Sequence, residues 1–200
     1  MIALELIRIS GSLPAVVFNL AASPNAWAKT TAASVGKSVS DNSSAYQKFY
    51  QGLMDDLREK YKFTNAKAAQ PQNWYSFSSG RPGITYTATF ASGNRLRAEL
   101  YVDIGDVLKN KAIFDALKSS EGVIQDEVGE PLVWERLDNR RASRISVVRE
   151  NTSIADAAAH DEEIRGWLIQ RLLKFKDVFG PRLKSALDAA GSPDSSLAAL

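Results

Sequence analysis

Two hundred residues with 44% hydrophobic and 24% charged content describe a chain of ordinary globular composition. A formal net charge of +2 permits a polyanionic partner without arguing for one. The lack of cysteine excludes disulfides, thiolate metal sites and a cysteine nucleophile, and the single histidine, His160, leaves too few ligands for structural zinc.

At the N-terminus no basic stretch precedes the apolar residues. Glu5 and Arg8 lie among them, and Gly11, Pro14 and Asn19 interrupt them, so a secretory leader is not expected. No apolar run is long enough to span a bilayer, so no membrane partner is expected and the expected location is cytoplasmic. Leu4 to Ile9 reads as a short strand, and Ala15 to Leu20 is a short apolar run ended by Ser23-Pro24-Asn25. Residues 29–45 are rich in Thr, Ala, Ser and Gly without apolar periodicity, the composition of a linker.

A strong helix follows. Tyr46, Phe49, Tyr50, Leu53 and Leu57 recur at helical spacing, with Asp55, Asp56, Arg58 and Glu59 opposite, and Ser43 or Ser44 can cap its start. Strands are predicted over Trp74 to Ser78, Ile84 to Phe90 and Arg95 to Asp103. In the third, Leu96, Ala98, Leu100 and Val102 alternate with Arg95, Arg97, Glu99, Tyr101 and Asp103, placing one side on a core and the other in solvent. The short turns at Gly80-Arg81-Pro82-Gly83 and Ser92-Gly93-Asn94 make these strands an antiparallel meander.

Asp106 caps a helix that runs through Leu117, with a break at Gly122, and ends at Gly129-Glu130-Pro131. Leu132 to Leu137 and Ser143 to Arg149 form a hairpin around Asp138-Asn139-Arg140. A last helix spans Asp161 to Leu187, which Gly180-Pro181 should kink or interrupt. The predicted class is α+β, with order α-β-β-β-α-β-β-α and an antiparallel sheet of about five strands carrying helices on its apolar face. The domain division is 1–28 as an N-terminal segment, 29–45 as linker, 46–187 as one α+β domain and 188–200 as a disordered tail.

Several features bear on chemistry. Gly36-Lys37-Ser38 matches the end of a phosphate-binding loop, but Thr31 stands where its first glycine belongs and the surroundings read as linker. His160, beside Asp161, Glu162 and Glu163, reads as a solvated residue near a helix start. Glu99 and Asp103 are weak candidates for catalytic carboxylates. Helix, three strands, helix, strand is also the core order of PD-(D/E)XK nucleases, which hold Mg²⁺ between carboxylates. Here Tyr101 replaces the lysine and Pro82-Gly83 replaces a proline-aspartate, so no metal or cofactor is expected unless that alternative holds. The simpler reading pairs Glu99 across strands with an arginine and makes Asp106 a cap. Arg136, Arg140, Arg141, Arg144 and Arg149 crowd the last hairpin. With Arg95, Arg97 and Tyr101, the residues Arg140, Arg141 and Arg144 are the candidate nucleic-acid contacts; Trp74 offers a second stacking surface. A salt-bridged, solvated sheet face explains the same charges. Trp74, Trp134 and Trp167, with Phe114 and Phe175, also read as core anchors.

The segments "YQKFYQGLMDDL", "QNWYSFSSGRPGITYTATF", "RLRAELYVDI", "IFDALKSSEGVIQDEVGEPLVWERLDNRRASRISVVR" and "WLIQRLLKFKDVFGPRL" resemble the bacterial and archaeal domain of unknown function numbered 4268, from about Tyr46 to Leu183. Members often carry this domain after a PD-(D/E)XK nuclease-like domain, and residues 1–28 look like the segment trailing such a domain. The resemblance implies association with nucleic-acid processing or defence and transfers no catalytic residue. The expected function is a non-catalytic accessory domain that contacts DNA or RNA for a nuclease-like partner. The alternatives are a protein-interaction or dimerisation module and a divergent Mg²⁺-dependent nuclease.

Overall fold

The structure, a computed structural model, describes residues 2–7, 15–20 and 26–191, with side chains described from residue 42 to residue 191. It divides into two units, 1–41 and 42–200. In the first, β1 (Ile2–Ile7) and β2 (Ala15–Leu20) pair antiparallel from Ile2↔Leu20 to Ile7↔Ala15. Helix α1 (Ala26–Glu59) takes in residues 29–45, where composition predicts a linker. That stretch has one glycine and no proline, so nothing in it stops a helix. Gly36-Lys37-Ser38 thus lies inside α1, where backbone amides are spent on helix hydrogen bonds and cannot form a phosphate cradle.

In the second unit the sequence alternation becomes a two-sided sheet. Strands β3 (Trp74–Arg81), β4 (Ile84–Ala91) and β5 (Arg95–Val102) form the predicted meander. Two helices follow, α2 (Val107–Lys118) and α3 (Glu121–Val128), then β6 (Val133–Glu135) and β7 (Ser143–Arg149). Helices α4 (Ile154–Ala159) and α5 (Asp161–Gly191) complete the described chain. The antiparallel order is β3-β4-β5-β7-β6, so the hairpin joins the meander through its second strand and β6 becomes an edge.

Register sorts the side chains into rows. Phe77, Tyr86, Leu100, Ile145 and Trp134 are successive cross-strand partners on one face, where all but the half-buried Trp134 are buried. The α1 residues Phe49 and Tyr50 and the α5 residues Leu172, Phe175 and Phe179 belong to the same core. Phe49 meets Phe90 edge-on, with ring centroids 5.2 Å apart. Each fully buried side chain of this size contributes roughly 1.5–3 kcal/mol through removal from water. The neighbouring row, Ser76, Thr87, Glu99, Ser146 and Val133, faces the opposite way.

The α+β class, the antiparallel sheet and the element order are as the sequence predicts, with local differences. The helix after Asp106 breaks at Ser119–Ser120, ahead of Gly122. Asp106 does cap α2, accepting from the Lys109 amide at 3.1 Å, and Gly129 ends α3 at φ 79°. Helix α4 is unpredicted, although Ser153 and Asp156 form a capping box at its start. Pro181 does not interrupt α5: buried residues on both sides (Phe175, Val178 and Phe179 before it, Leu183 and Ala186 after it) hold the helix across the missing donor. Residues 188–191, assigned to the tail, end α5, and 192–200 lie outside the described residues.

The β3–β4 turn contains two glycines at positive φ with different surroundings. A Cβ on Gly83 (φ 74°) would stand 2.5 Å from the Ile104 Cα and 2.6 Å from the Asp103 carbonyl oxygen; one on Gly80 (φ 80°) would meet nothing within 4 Å. Gly80→Ala should therefore cost about 1–2 kcal/mol, the left-handed penalty alone. Gly83→Ala should cost clearly more, because the end of β5 must move. Urea unfolding of both variants checks this, and equal losses would refute the close-approach argument.

Candidate functional site

The polar face of the sheet differs at its centre from the solvated surface that alternation suggests. Glu99 is 4% exposed, and its row neighbours Thr87 and Ser146 are also buried. Short hydroxyl side chains on β3 and β4 (Ser76, Thr87 and Thr89) line a depression of about 360 Å³ together with Glu99, Trp74, Arg97, Tyr101 and Arg144. Ser76 and Thr87 share a hydrogen bond of 2.8 Å, and Thr89 donates to Glu99 Oε1 at 3.1 Å.

Charge alternates across this face. Glu99 Oε2 lies 3.3 Å from Arg97 Nε without hydrogen-bond alignment, so the expected cross-strand arginine is replaced by its own strand neighbour two residues away. Arg97 Nη1 is 4.0 Å from Glu135, which accepts both Nε and Nη2 of Arg144, the latter at 2.9 Å. Burial pushes the Glu99 carboxyl above the usual carboxylate range, with Arg97 and Arg144 opposing it. The Arg144 hydrogen bond holds Glu135 below that range. Burial also lowers the pKa of Arg97.

Adjoining it, a wider cleft of about 740 Å³ gathers every residue that the sequence nominates for nucleic acid: Arg95, Arg97, Tyr101, Arg140, Arg141 and Arg144. Their charges are not equivalent. Arg141 clamps Asp103 with two bonds, Nε to Oδ1 at 2.6 Å and Nη2 to Oδ2 at 2.8 Å, holding that carboxylate below its ordinary pKa. Arg95 spends Nε on the Ser92 carbonyl at 2.9 Å. Among the described residues Arg95 and Arg140 form no salt bridge, Arg95 acting on Glu135 only from a distance, and both are exposed. Arg136 and Arg149 leave the group, paired with Asp115 and Asp138 and with Glu163. Trp74 is 45% exposed, so it belongs to this surface and not to the core; Trp134 and Trp167 pack against the core as anchors.

The nominated carboxylates do not converge. Glu99 and Asp103 sit four residues apart near the same strand, about 13 Å at strand rise, and each is engaged by an arginine. Mg²⁺ requires ligand oxygens within about 2.1 Å, so these residues do not fit one ion. Among the described residues no group of three His, Asp or Glu side chains could hold a metal. His160 ends α4, its amide bonded to the Asp156 carbonyl. Among the described residues no helix is long and apolar enough to cross a membrane.

Residues outside the sequence reading hold the cleft in shape. Lys111, on the inner side of α2, is 5% exposed. Its Nζ donates to the carbonyls of Arg136 (2.6 Å), Leu137 (3.0 Å) and Ala142 (2.7 Å) and to Ser143 Oγ (3.1 Å). Beside it, fully buried Asn110 donates to the Arg141 carbonyl at 3.1 Å and accepts the Ile104 amide at 2.9 Å. The available signal was a polar Asn-Lys pair on the otherwise apolar side of a helix.

An antiparallel α+β domain with an arginine-lined cleft on its polar sheet face is the class that fold and site define. The sequence matches the family described as a domain of unknown function, DUF4268, over residues 45–183, and the chain belongs to that family. Comparison with curated proteins and with solved structures finds no match.

Two outcomes follow from this geometry. Lys111→Met should destabilise the fold by about 1–3 kcal/mol, because the Ala142 carbonyl loses its donor while those of Arg136 and Leu137 keep the Ser143 hydroxyl and the Arg140 amide; a denaturation midpoint like that of the wild type would refute the clamp. Carboxyl ¹³C titration should place the Glu99 pKa above the ordinary glutamate value, and Arg97→Gln should raise it further. A folded pKa above the unfolded one means the native state holds the proton more tightly. Glu99 therefore destabilises the fold fully above its folded pKa, and the penalty fades as pH falls toward the unfolded value. A Glu99 pKa at or below the ordinary value would overturn the burial argument.

Proposed function

We propose that this domain is a non-catalytic module that contacts nucleic acid through the polar face of its sheet, as an accessory to a nuclease-like protein. The observation that carries the reading is the pairing pattern: exposed Arg95 and Arg140, which form no salt bridge among the described residues, line one cleft with Arg141 and Tyr101. A phosphate backbone is the ligand that such cations suit, since each contact releases counterions. Trp74 and Tyr101 supply aromatic faces on which unpaired bases stack, which favours a single strand. The paired arginines hold the walls in shape, so the unpaired ones carry the electrostatics.

Fluorescence anisotropy with a labelled single-stranded oligonucleotide across a salt series tests this. Each single-strand phosphate contact contributes about 0.7 to the salt slope, so Arg95→Ala with Arg140→Ala should lower it by about 1.4. Arg136→Ala, which removes a cation already shared by Asp115 and Asp138, should leave it unchanged. An unaltered slope in the double variant would refute the assignment. No affinity, together with a concentration-dependent mass, would point instead to a protein-interaction module.

A further inference from the structure

We propose that the depression centred on Glu99 is a base pocket that selects guanine, an inference that rests on the nucleic-acid reading of the adjoining cleft. The two depressions share Thr89, Arg97, Tyr101 and Arg144, so they form one continuous surface. The wider part carries the unpaired arginines and suits a phosphate. The narrower part, at about 360 Å³, falls within the roughly 300–1,000 Å³ of small-molecule pockets.

The floor is built for a ligand with a defined hydrogen-bonding edge. Glu99 Oε2, Arg97 Nε and Ser146 Oγ are buried without a hydrogen-bond partner among the described residues. Buried polar atoms in a folded protein are nearly always satisfied, and leaving each unpaired costs about 1–3 kcal/mol. Two of these atoms belong to residues that line the pocket and face each other as an ion pair without a hydrogen bond, and the third lies on Ser146, the cross-strand neighbour of Glu99; together they mark a place where a partner belongs. Because the Glu99–Arg97 contact is an ion pair without a hydrogen bond, Arg97 can turn toward the phosphate cleft that it also lines when a phosphate there replaces Glu99 as its counter-charge. That turn uncovers Oε2.

The donor and acceptor types then decide the base. A carboxylate accepts only, so the edge facing it must offer adjacent donors. Guanine does so with N1–H and its exocyclic amine, and its O6 acceptor lies next to them. Arg144 is placed to serve O6: Glu135 takes Nε and Nη2, leaving Nη1. Adenine would set the N1 lone pair against the carboxylate. Cytosine would do the same with N3, and uracil offers one donor between two acceptors. Trp74 and Tyr101 provide the flanking faces, as in sites that read an extruded base by its pairing edge.

Isothermal titration of the whole chain with GMP, AMP, CMP and UMP tests the pocket. GMP should bind at least about tenfold more tightly than the other three. Glu99→Gln should remove that preference. Trp74→Ala, at an exposed position, should weaken GMP about tenfold while leaving the melting temperature unchanged. Equal affinities for the four nucleotides, no GMP binding, or a preference that survives in Glu99→Gln would overturn the inference. A guanine-free oligonucleotide that binds through Arg95 and Arg140 while GMP fails would overturn the pocket and leave the nucleic-acid reading standing. GMP selectivity without oligonucleotide affinity would support the pocket as a free-nucleotide site and remove that reading.

Discussion

One buried ammonium group governs the geometry of the polar face. The chain between β6 and β7 must turn through Leu137 at φ 56°, a conformation that a branched side chain disfavours. Lys111 makes that turn tenable, because its acceptors come from both ends of the connection, at Arg136 and Leu137 and again at Ala142 and Ser143. A cation on a fixed helix thus converts a polar loop into a rigid shelf. Asn110 extends the same logic by tying the Arg141 carbonyl to the end of β5. Arg140 and Arg141 are presented from that shelf, so the cleft depends on the register of α2 against the hairpin.

The second constraint is electrostatic. A row of Glu99, Arg97, Glu135 and Arg144 places unlike charges beside one another in a partly buried setting. Such networks contribute little net stability, since desolvation offsets the attraction, but they fix side chains that would otherwise sample many rotamers. The Arg144 hydrogen bonds hold the Glu135 pKa down, whereas burial pushes the Glu99 pKa up against the opposing charges of Arg97 and Arg144. Arg144 is fixed by two hydrogen bonds to Glu135, whereas Arg97 is held to Glu99 by charge without a hydrogen bond.

Period-two alternation in β4 and β5 was enough to read the meander and its apolar face, because burial on one side imposes that period directly. The arginine positions were legible for the same reason: Arg95, Arg97 and Tyr101 share parity, so they share a face. Pairing was not legible. Nothing in a strand's own sequence says that β7 rather than β6 adjoins β5, and that choice brings Arg144 beside Tyr101. The partners Asp103–Arg141 and Arg136–Asp115 join residues far apart in the chain, so local pattern cannot separate free cations from spent ones. Composition misread 29–45 as linker, because a polar stretch with no proline and a single glycine contains no residue that stops a helix. Pro181 misled in the opposite direction, where tertiary packing outweighed a local breaker.

The edges of the sheet carry a further consequence. On one side β6 has only three residues; on the other, β3 loses register between Ser78 and Arg81. Neither edge offers a long, flat row of unpaired amides and carbonyls, which is what an incoming strand requires for lateral addition. The open five-stranded sheet is therefore a poor template for cross-β stacking. A domain of this build can be held at high local concentration, as on a crowded polymer, without its strands zipping to those of its neighbours.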